Sequence, residues 1–236
     1  MANNYFTFKH FTVNQHLAAM KVGTDGVLLG AWAPVEGAKH ILDIGTGTGL
    51  IALMLAQRNH HAIIDAIDID DQAYQQALIN FQQSAWKKRL KAIHGNLQSY
   101  QPKLKYDLIV SNPPYFNHAL KNQCQKKAQA RHTDSLSYHE LIQGVIKNLS
   151  KTGRFCVILP ADEMESIHQL ASYHKLILNN ILRVKPTPSK APKRVILEFS
   201  FMHKQLVQNE LIIEMFGRHQ YSEEYKILTK DFYLAF

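Results

Sequence analysis

Cysteine is scarce in this sequence of 236 residues, which contains only Cys124 and Cys156. The two lie far apart and lack the spacing of metal ligands, which argues against a disulfide framework and favours a reducing compartment. The thirteen histidines also show no metal-ligand spacing with cysteine or acidic partners, so we predict no metal site. Long apolar runs are lacking too, both in the polar and aromatic leader at residues 1–10 and elsewhere. We therefore expect a cytoplasmic protein without a membrane-spanning segment.

Acidic residues are outnumbered, because 19 Asp and Glu face 27 Lys and Arg and leave a net charge of +8. Such an excess is compatible with a polyanionic partner, since Lys and Arg gain affinity by displacing phosphate counterions. Each of the three basic clusters, taken alone, could equally be a solvated loop. The clusters are Lys87, Lys88, Arg89 and Lys91; then Lys121, Lys126, Lys127 and Arg131; then Arg183, Lys185, Lys190, Lys193 and Arg194.

Strand-like and helix-like segments alternate through the central part of the chain. This alternation predicts an α/β fold with a parallel sheet covered on both faces. With 46% hydrophobic residues the chain can bury a substantial core, and we expect one domain over residues 1–236 and a monomer. Strands are predicted at 41–44, 62–68, 90–94, 106–111 and 153–159, helices at 50–57, 72–84, 138–149 and 162–172, and a hairpin at 176–184 and 195–201 around a loop at 185–194.

A glycine-rich turn follows the first central strand and leads into a helix. It contains Asp43, Gly45, Gly47 and Gly49. Glycines allow the backbone to approach a ligand closely, and the helix start presents free N–H groups. The strand before the turn and the helix after it are the context that a nucleotide-binding turn requires. The next strand ends at Asp68, where a carboxylate can accept hydrogen bonds from both ribose hydroxyls.

A second motif, Asn112, Pro113, Pro114 and Tyr115, directly follows the apolar run at residues 108–110. The Asn112 side chain and the Pro113 carbonyl can accept both protons of one NH2 group, and Tyr115 can stack on a flat ring. Accepting both protons directs the lone pair of the amine outward, toward a methyl donor. The motif alone could simply end a strand, because Pro and Asn are common in loops. Its position after the glycine turn and Asp68 favours a catalytic role.

These features together resemble class I S-adenosylmethionine-dependent methyltransferases that modify an exocyclic amine. A pyrophosphate-binding dinucleotide enzyme would show Gly-x-Gly-x-x-Gly at the turn instead. The segment at 21–32, KVGTDGVLLGAW, is similar to the small tRNA adenine N6-methyltransferases that act on the anticodon loop of valine tRNA. The resemblance covers nearly the whole chain. It implies a Rossmann-like class I methyltransferase fold, with a mostly parallel seven-stranded sheet, helices on both faces and an antiparallel C-terminal hairpin.

The resemblance also implies S-adenosylmethionine as the cofactor, tRNA as the partner, and a division of the chain into a cofactor-covering leader (1–39), a catalytic loop (112–135) and a basic hairpin loop (185–194). Where such enzymes usually carry an acid near the cofactor adenine, this chain has Asn96, whose carbonyl can still accept from an amino group. The candidate cofactor-binding residues are Lys21, Thr24, Asp25, Asp43, Gly45, Thr46, Gly47, Gly49, Asp68, Ile69, Asn96 and Asn112. The candidate RNA-binding residues, chosen by charge, are Lys121, Lys126, Lys127, Arg131, Lys190, Lys193 and Arg194.

Other functions remain open at this point. Glutamine side-chain methyltransferases share the Asn-Pro-Pro-Tyr motif but resemble chains with a sizeable helical domain before the cofactor strand, whereas only 40 residues precede Ile41. A guanine N2-methyltransferase is a nearer alternative, and an RNA-binding module without activity is the non-enzyme alternative. The aromatic leader, with Tyr5, Phe6, Phe8 and Phe11, could stack on RNA bases or pin the terminus to the core.

Overall fold

The computed structural model describes residues 3–114 and 136–236. Within these ranges the chain forms ten strands and six α-helices. The strands are β1 (Tyr5–Thr7), β2 (Thr12–Asn14), β3 (His40–Ile44), β4 (Ile63–Asp68), β5 (Leu90–His94), β6 (Tyr106–Ser111), β7 (Leu149–Pro160), β8 (Ile177–Lys185), β9 (Arg194–Ser200) and β10 (Val207–Ile212). The helices are α1 (Thr24–Trp32), α2 (Leu50–Arg58), α3 (Asp71–Gln83), α4 (Tyr138–Asn148), α5 (Met164–Tyr173) and α6 (Glu223–Thr229).

Eight of the described strands form one sheet in the order β10-β8-β9-β7-β6-β3-β4-β5. All of them run parallel except β9, which is antiparallel to both β7 and β8. The predicted fold class and the C-terminal hairpin are therefore confirmed, with one strand more than the seven expected. The additional strand is β10, whose first four residues are exposed, so no buried apolar pattern identifies it in the sequence.

The sheet buries a core on each face. Neighbouring residues of one strand point to opposite faces, and Ile41 and Leu42 of β3 accordingly belong to different clusters of buried side chains. The first cluster includes residues of α1, α2, α3 and α6, and the second includes residues of α4 and α5. None of the described helices has both the length and the apolar character needed to cross a membrane.

Three parallel strands bring the predicted site residues to one edge of the sheet. Ile44 at the end of β3 is in register with Ser111 at the end of β6 and with Ile67, the residue before Asp68 in β4. The glycine turn, Asp68 and Asn112 therefore emerge side by side from the carboxyl edge of neighbouring strands. This is where ligands bind in open α/β sheets.

The leader folds back onto the body of the protein. Phe8 and Phe11 are buried and stack on each other with ring centroids 4.8 Å apart. The backbone N–H of Lys9 donates to the carbonyl of Phe232 at 2.8 Å. Because both rings are buried, the leader aromatics are better explained as anchors of the N-terminal segment to the core than as RNA contacts. Tyr5 differs from them and is 55% exposed.

Candidate active site

Two adjoining cavities open at the carboxyl edge of the sheet, with volumes of about 430 and 270 Å³. Both are lined by Met20, Gly45, Gly47 and Asn112. Of the predicted residues, the larger cavity also includes Asp68, Ile69, Asn96, Pro113 and Pro114. The smaller cavity also includes Lys21, Thr24, Asp25 and Thr46. The structure thus brings most of the predicted cofactor residues together around one continuous space.

The glycine turn provides a wall without side chains. Gly45 and Gly47 have left-handed φ angles of +68° and +57°, and a Cβ placed on either would contact nothing within 4 Å. A side chain at these positions would therefore project into the open space of the cavity and fill it. Gly49 has a different role, because its φ is +81° and a Cβ there would lie 2.5 Å from the Phe81 ring. It lines neither cavity and allows α2 to begin against α3.

Asp68 stands at the end of β4 and ties two loops together. Its Oδ2 accepts from the backbone N–H of Gly47 at 2.8 Å, and its Oδ1 accepts from the N–H of Asp70 at 3.0 Å. Burial raises the pKa of this carboxyl above its usual value, while these backbone donors act in the opposite direction. Each oxygen has a further lone pair that a ligand hydroxyl can use.

Asp43 lies beneath the glycine turn and lines neither cavity, although the sequence indicated cofactor contact. It is fully buried, and its Oδ2 accepts from the Thr46 hydroxyl at 2.7 Å. Burial raises the pKa of Asp43 to about 7, opposed by the Thr46 hydrogen bond and a backbone bond from Ala52, and the nearby Asp68 charge raises it slightly further. Asp43 therefore stabilises the glycine turn from below through Thr46.

The raised pKa of Asp43 predicts how stability depends on pH. A pKa that is higher in the folded state than the ordinary 3.8 favours folding at low pH, and this contribution is lost as the pH rises toward 7. We expect the free energy of unfolding of the wild type, relative to Asp43→Asn, to fall by about 3 kcal/mol between pH 5 and pH 8. Urea denaturation of both proteins at the two pH values measures this difference in the free energy of unfolding. A difference that does not change with pH would contradict the prediction.

Asn112 occupies the junction of the two cavities. It is half-buried, while Ser111 before it and Pro113 after it are buried. The Ser111 hydroxyl donates to the carbonyl of Ile44 at 3.0 Å, which holds the start of the motif against the end of β3. Tyr115 of the same motif lies outside the described residues, as do the candidate RNA-binding residues Lys121, Lys126, Lys127 and Arg131.

Asn96 lines the larger cavity as predicted, with one feature that the sequence did not indicate. Its side-chain oxygen accepts from the backbone N–H of Gln98 at 2.7 Å. An amino group of a bound ligand would therefore use the second lone pair of that oxygen.

The candidate RNA-binding residues of the basic hairpin loop differ in their surroundings. Lys190 and Lys193 are exposed. Arg194 instead donates through Nε to Oδ2 of Asp25 at 2.8 Å, linking the start of β9 to α1 at the smaller cavity. Its guanidinium therefore has an ion-pair partner at the cofactor side, which weakens its case as a dedicated RNA contact.

Sequence reasoning missed two amides that hold residues 14–17, the segment directly before the cavity-lining residues 18–20. Gln76 and Asn80 of α3 are buried, and the Oε1 of Gln76 accepts from the N–H of Leu17 at 2.9 Å. Asn80 accepts from the N–H of Asn14 and donates to the carbonyl of Thr48 in the glycine turn, at 2.9 and 2.8 Å. The available signal was that both amides fall on the same face of α3 as buried apolar residues.

Among residues 3–114 and 136–236, no group of three or more His, Cys, Asp or Glu side chains is arranged to hold a metal ion.

Comparison with known proteins identifies the family. The family described as "Methyltransferase small domain" matches residues 22–172 of this chain. The chain belongs to this family. A protein of Bacteroides thetaiotaomicron named tRNA1(Val) (adenine(37)-N6)-methyltransferase is 48% identical, with 99% of both chains covered. A protein of the same name from Trichodesmium erythraeum is 46% identical over the full length of both chains.

Solved structures support the fold of this small methyltransferase. A protein described as a predicted O-methyltransferase from Agrobacterium tumefaciens superposes with a TM-score of 0.70 at 15% identity, covering 88% of this chain and 96% of that one. A ribosomal protein L11 methylase from Lactobacillus delbrueckii gives a TM-score of 0.56 at 19% identity, covering 81% and 84%. At these identities the likeness shows the shared fold.

S-adenosylmethionine is the cofactor that this family and its fold imply, and the cavities fit it. The space opposite Gly45 and Gly47 is one that a Cβ would fill, so a ligand can lie directly against the backbone. The Asp68 carboxylate lies beside this space, where it can accept from ribose hydroxyls. The expected cofactor is therefore confirmed at the level of the family.

Proposed function

We propose that this methyltransferase transfers a methyl group from S-adenosylmethionine to the exocyclic N6 of an adenine in tRNA. We infer further that the adenine lies immediately 3′ of the anticodon of a valine tRNA. The observation that carries the proposal is the position of Asn112 at the junction of the two cavities, with Pro113 lining the larger one, in a chain nearly half identical to the curated tRNA1(Val) adenine N6-methyltransferases. We place the reaction in the cytoplasm and assign it to a monomer.

The larger cavity is the proposed site for the nucleoside part of the cofactor. Asp68 would accept from the ribose hydroxyls, and Asn96 would contact the adenine amino group. Gly45 and Gly47 would allow the closest approach of backbone to ligand. The smaller cavity, with Lys21, Thr24 and Asp25, would hold the charged amino-acid part.

The chemical contribution of the chain is mainly positional. The bound cofactor supplies an activated methyl group and a neutral leaving group. Asn112 Oδ1 and the Pro113 carbonyl would accept the two protons of the adenine amine and so direct its lone pair toward the methyl group. The methylated amine would be strongly acidic and would release its extra proton to water, so this arrangement needs no general base with a shifted pKa. A base in an anticodon loop can be extruded more easily than a paired base.

The alternatives are less well supported. The curated relatives with 46 to 48% identity carry a name that specifies adenine and tRNA, which favours this reaction over guanine N2 or glutamine methylation. An inactive RNA-binding module is disfavoured by the open cavity between the glycine turn, Asp68 and Asn112.

The deciding experiment is transfer of a radiolabelled methyl group by the purified protein to total tRNA from a strain that lacks the gene. We expect N6-methyladenine in the nucleoside digest, mapped to the adenine 3′ of the valine anticodon. Label in methylguanosine would overturn the assigned base, and N6-methyladenine in another tRNA would overturn the assigned substrate. Light scattering of the purified protein tests the monomer.

A further inference from the structure

A short hairpin follows β10 at residues 214–221, and we call it the β10 hairpin. Its two ends are joined by a bridge between Glu214 and Tyr221. Inside it, the N–H of Met215 donates to the carbonyl of Gln220 at 2.8 Å, and the N–H of Gln220 donates to the carbonyl of Gly217 at 3.0 Å. The backbone of the hairpin is therefore held in place by its own hydrogen bonds.

Phe216 at the tip of the β10 hairpin is 84% exposed. A phenylalanine ring in this position contributes little to the core, yet it is presented on an ordered backbone and flanked within three residues by Arg218 and His219. His219 adopts a left-handed φ of +64° that its N–H stabilises by donating to Glu214 Oε1 at 2.8 Å. An exposed ring beside basic side chains is the combination that binds unpaired nucleobases and their phosphates.

The β10 hairpin lies at the same edge of the sheet as the active site. β10 runs parallel to β8, with Ile212 in register with Lys185, and all strands but β9 point in this direction. The end of β10 is four strand positions from the end of β6, where Asn112 begins. At about 4.8 Å per strand this separation is roughly 19 Å. A stacked nucleic-acid strand with about 3.4 Å per base covers it in five to six nucleotides.

A positively charged loop lies directly beside the hairpin. The N–H of Glu214 donates to the carbonyl of Pro186 at 2.9 Å, which joins the hairpin to the loop at residues 186–193. This loop exposes Lys190 and Lys193, and no described carboxylate forms an ion pair with either of them or with Arg218. Two of the acidic groups nearby are already engaged, since Glu210 pairs with Lys185 at 3.3 Å and Glu214 accepts from the backbone N–H of His219.

We propose that the β10 hairpin and loop 186–193 form a second contact surface for the RNA substrate. Phe216 stacks on an unpaired base five to six nucleotides or more from the target adenine, and Arg218, Lys190 and Lys193 bind the intervening phosphates. The inference rests on the proposed function, because it takes the substrate to be a tRNA whose target base lies at Asn112. It adds a surface that raises affinity and positions the RNA, and this surface lies outside the catalytic cavities.

Phe216→Ala tests the stacking contact, with Phe216→Trp as the variant that keeps a ring. The matched control is Tyr173→Ala, because Tyr173 is 82% exposed but ends α5 at the opposite edge of the sheet. Binding of fluorescently labelled valine tRNA should weaken about tenfold or more in Phe216→Ala and stay near the wild-type value in Phe216→Trp and Tyr173→Ala. Affinity for S-adenosylmethionine, measured by calorimetry, should be unchanged in all of them.

Arg218→Gln, Lys190→Gln and Lys193→Gln test the phosphate contacts. Each should reduce the slope of the logarithm of affinity against the logarithm of salt concentration by about one unit. Wild-type tRNA affinity in Phe216→Ala, together with unchanged salt slopes, would overturn the inference even if the wild type methylates tRNA normally. A wild type that binds tRNA through this surface but transfers no methyl group would overturn the proposed function and leave the surface standing.

Discussion

Asn112→Ala is expected to abolish methyl transfer while leaving the affinity for S-adenosylmethionine nearly unchanged. The side chain stands at the junction of the two cavities, where it would act on the amine of the substrate. Its removal takes away one of two acceptors for the NH2 protons, so the lone pair is no longer directed at the methyl group. Single-turnover methyl transfer with saturating cofactor measures the rate, and calorimetry measures cofactor binding.

Asn112→Asp provides the conservative comparison, because a carboxylate of the same shape still accepts from the amine. We expect this variant to retain part of the activity that Asn112→Ala loses. Wild-type turnover in Asn112→Ala, with a circular dichroism spectrum that confirms folding, would show that the motif only ends a strand. The role of Tyr115 in stacking on the adenine stays a prediction.

Asp68→Ala is expected to weaken cofactor binding by more than a simple loss of ribose contacts. Leaving the ribose hydroxyls without their charged partner costs about 1 to 3 kcal/mol. The structure adds a second loss, because the same carboxylate accepts from the N–H groups of Gly47 and Asp70. Without it the glycine turn loses its link to the loop after β4, and the cavity wall loses its preorganisation.

Asp65→Asn is the control for Asp68→Ala, since it changes a carboxylate of the same strand away from the cavities. Asp65 Oδ2 accepts from the Tyr106 hydroxyl at 2.6 Å, so the variant should reduce stability without changing cofactor affinity. Calorimetric titration of both variants separates the two effects. An unchanged dissociation constant in folded Asp68→Ala would remove Asp68 from the cofactor site.

The parts of the fold that the sequence predicted are those with a local signal. The strand ending at Ile44, the glycine turn and helix α2 follow one another, so their apolar runs and glycines identify them without knowledge of the rest of the chain. The same holds for α3, which is predicted at 72–84 and spans Asp71–Gln83. Parallel pairing then fixes which strand ends meet, and it placed Asp68 and Asn112 correctly at one edge.

The features that escaped prediction depend on residues distant in sequence. Strand β10 forms by pairing with β8, and its exposed residues show no alternation of apolar and polar side chains. Asn80 connects Asn14 with Thr48, and a buried amide on a helix gives no indication of its partners. Asp43 illustrates the same limit, because the motif places this acid near the end of β3 but does not show whether its carboxylate faces the cavity.

The ion pair between Arg194 and Asp25 joins two residues that are 169 positions apart, one in the basic hairpin loop and one at the smaller cavity. A ligand that engages either side chain alters the free energy of the other, and such coupling is reciprocal by thermodynamic linkage. If RNA binding changes the affinity for the cofactor through this pair, the cofactor changes the affinity for RNA by the same factor. The ternary complex of protein, cofactor and RNA then has the same stability whichever of the two ligands binds first.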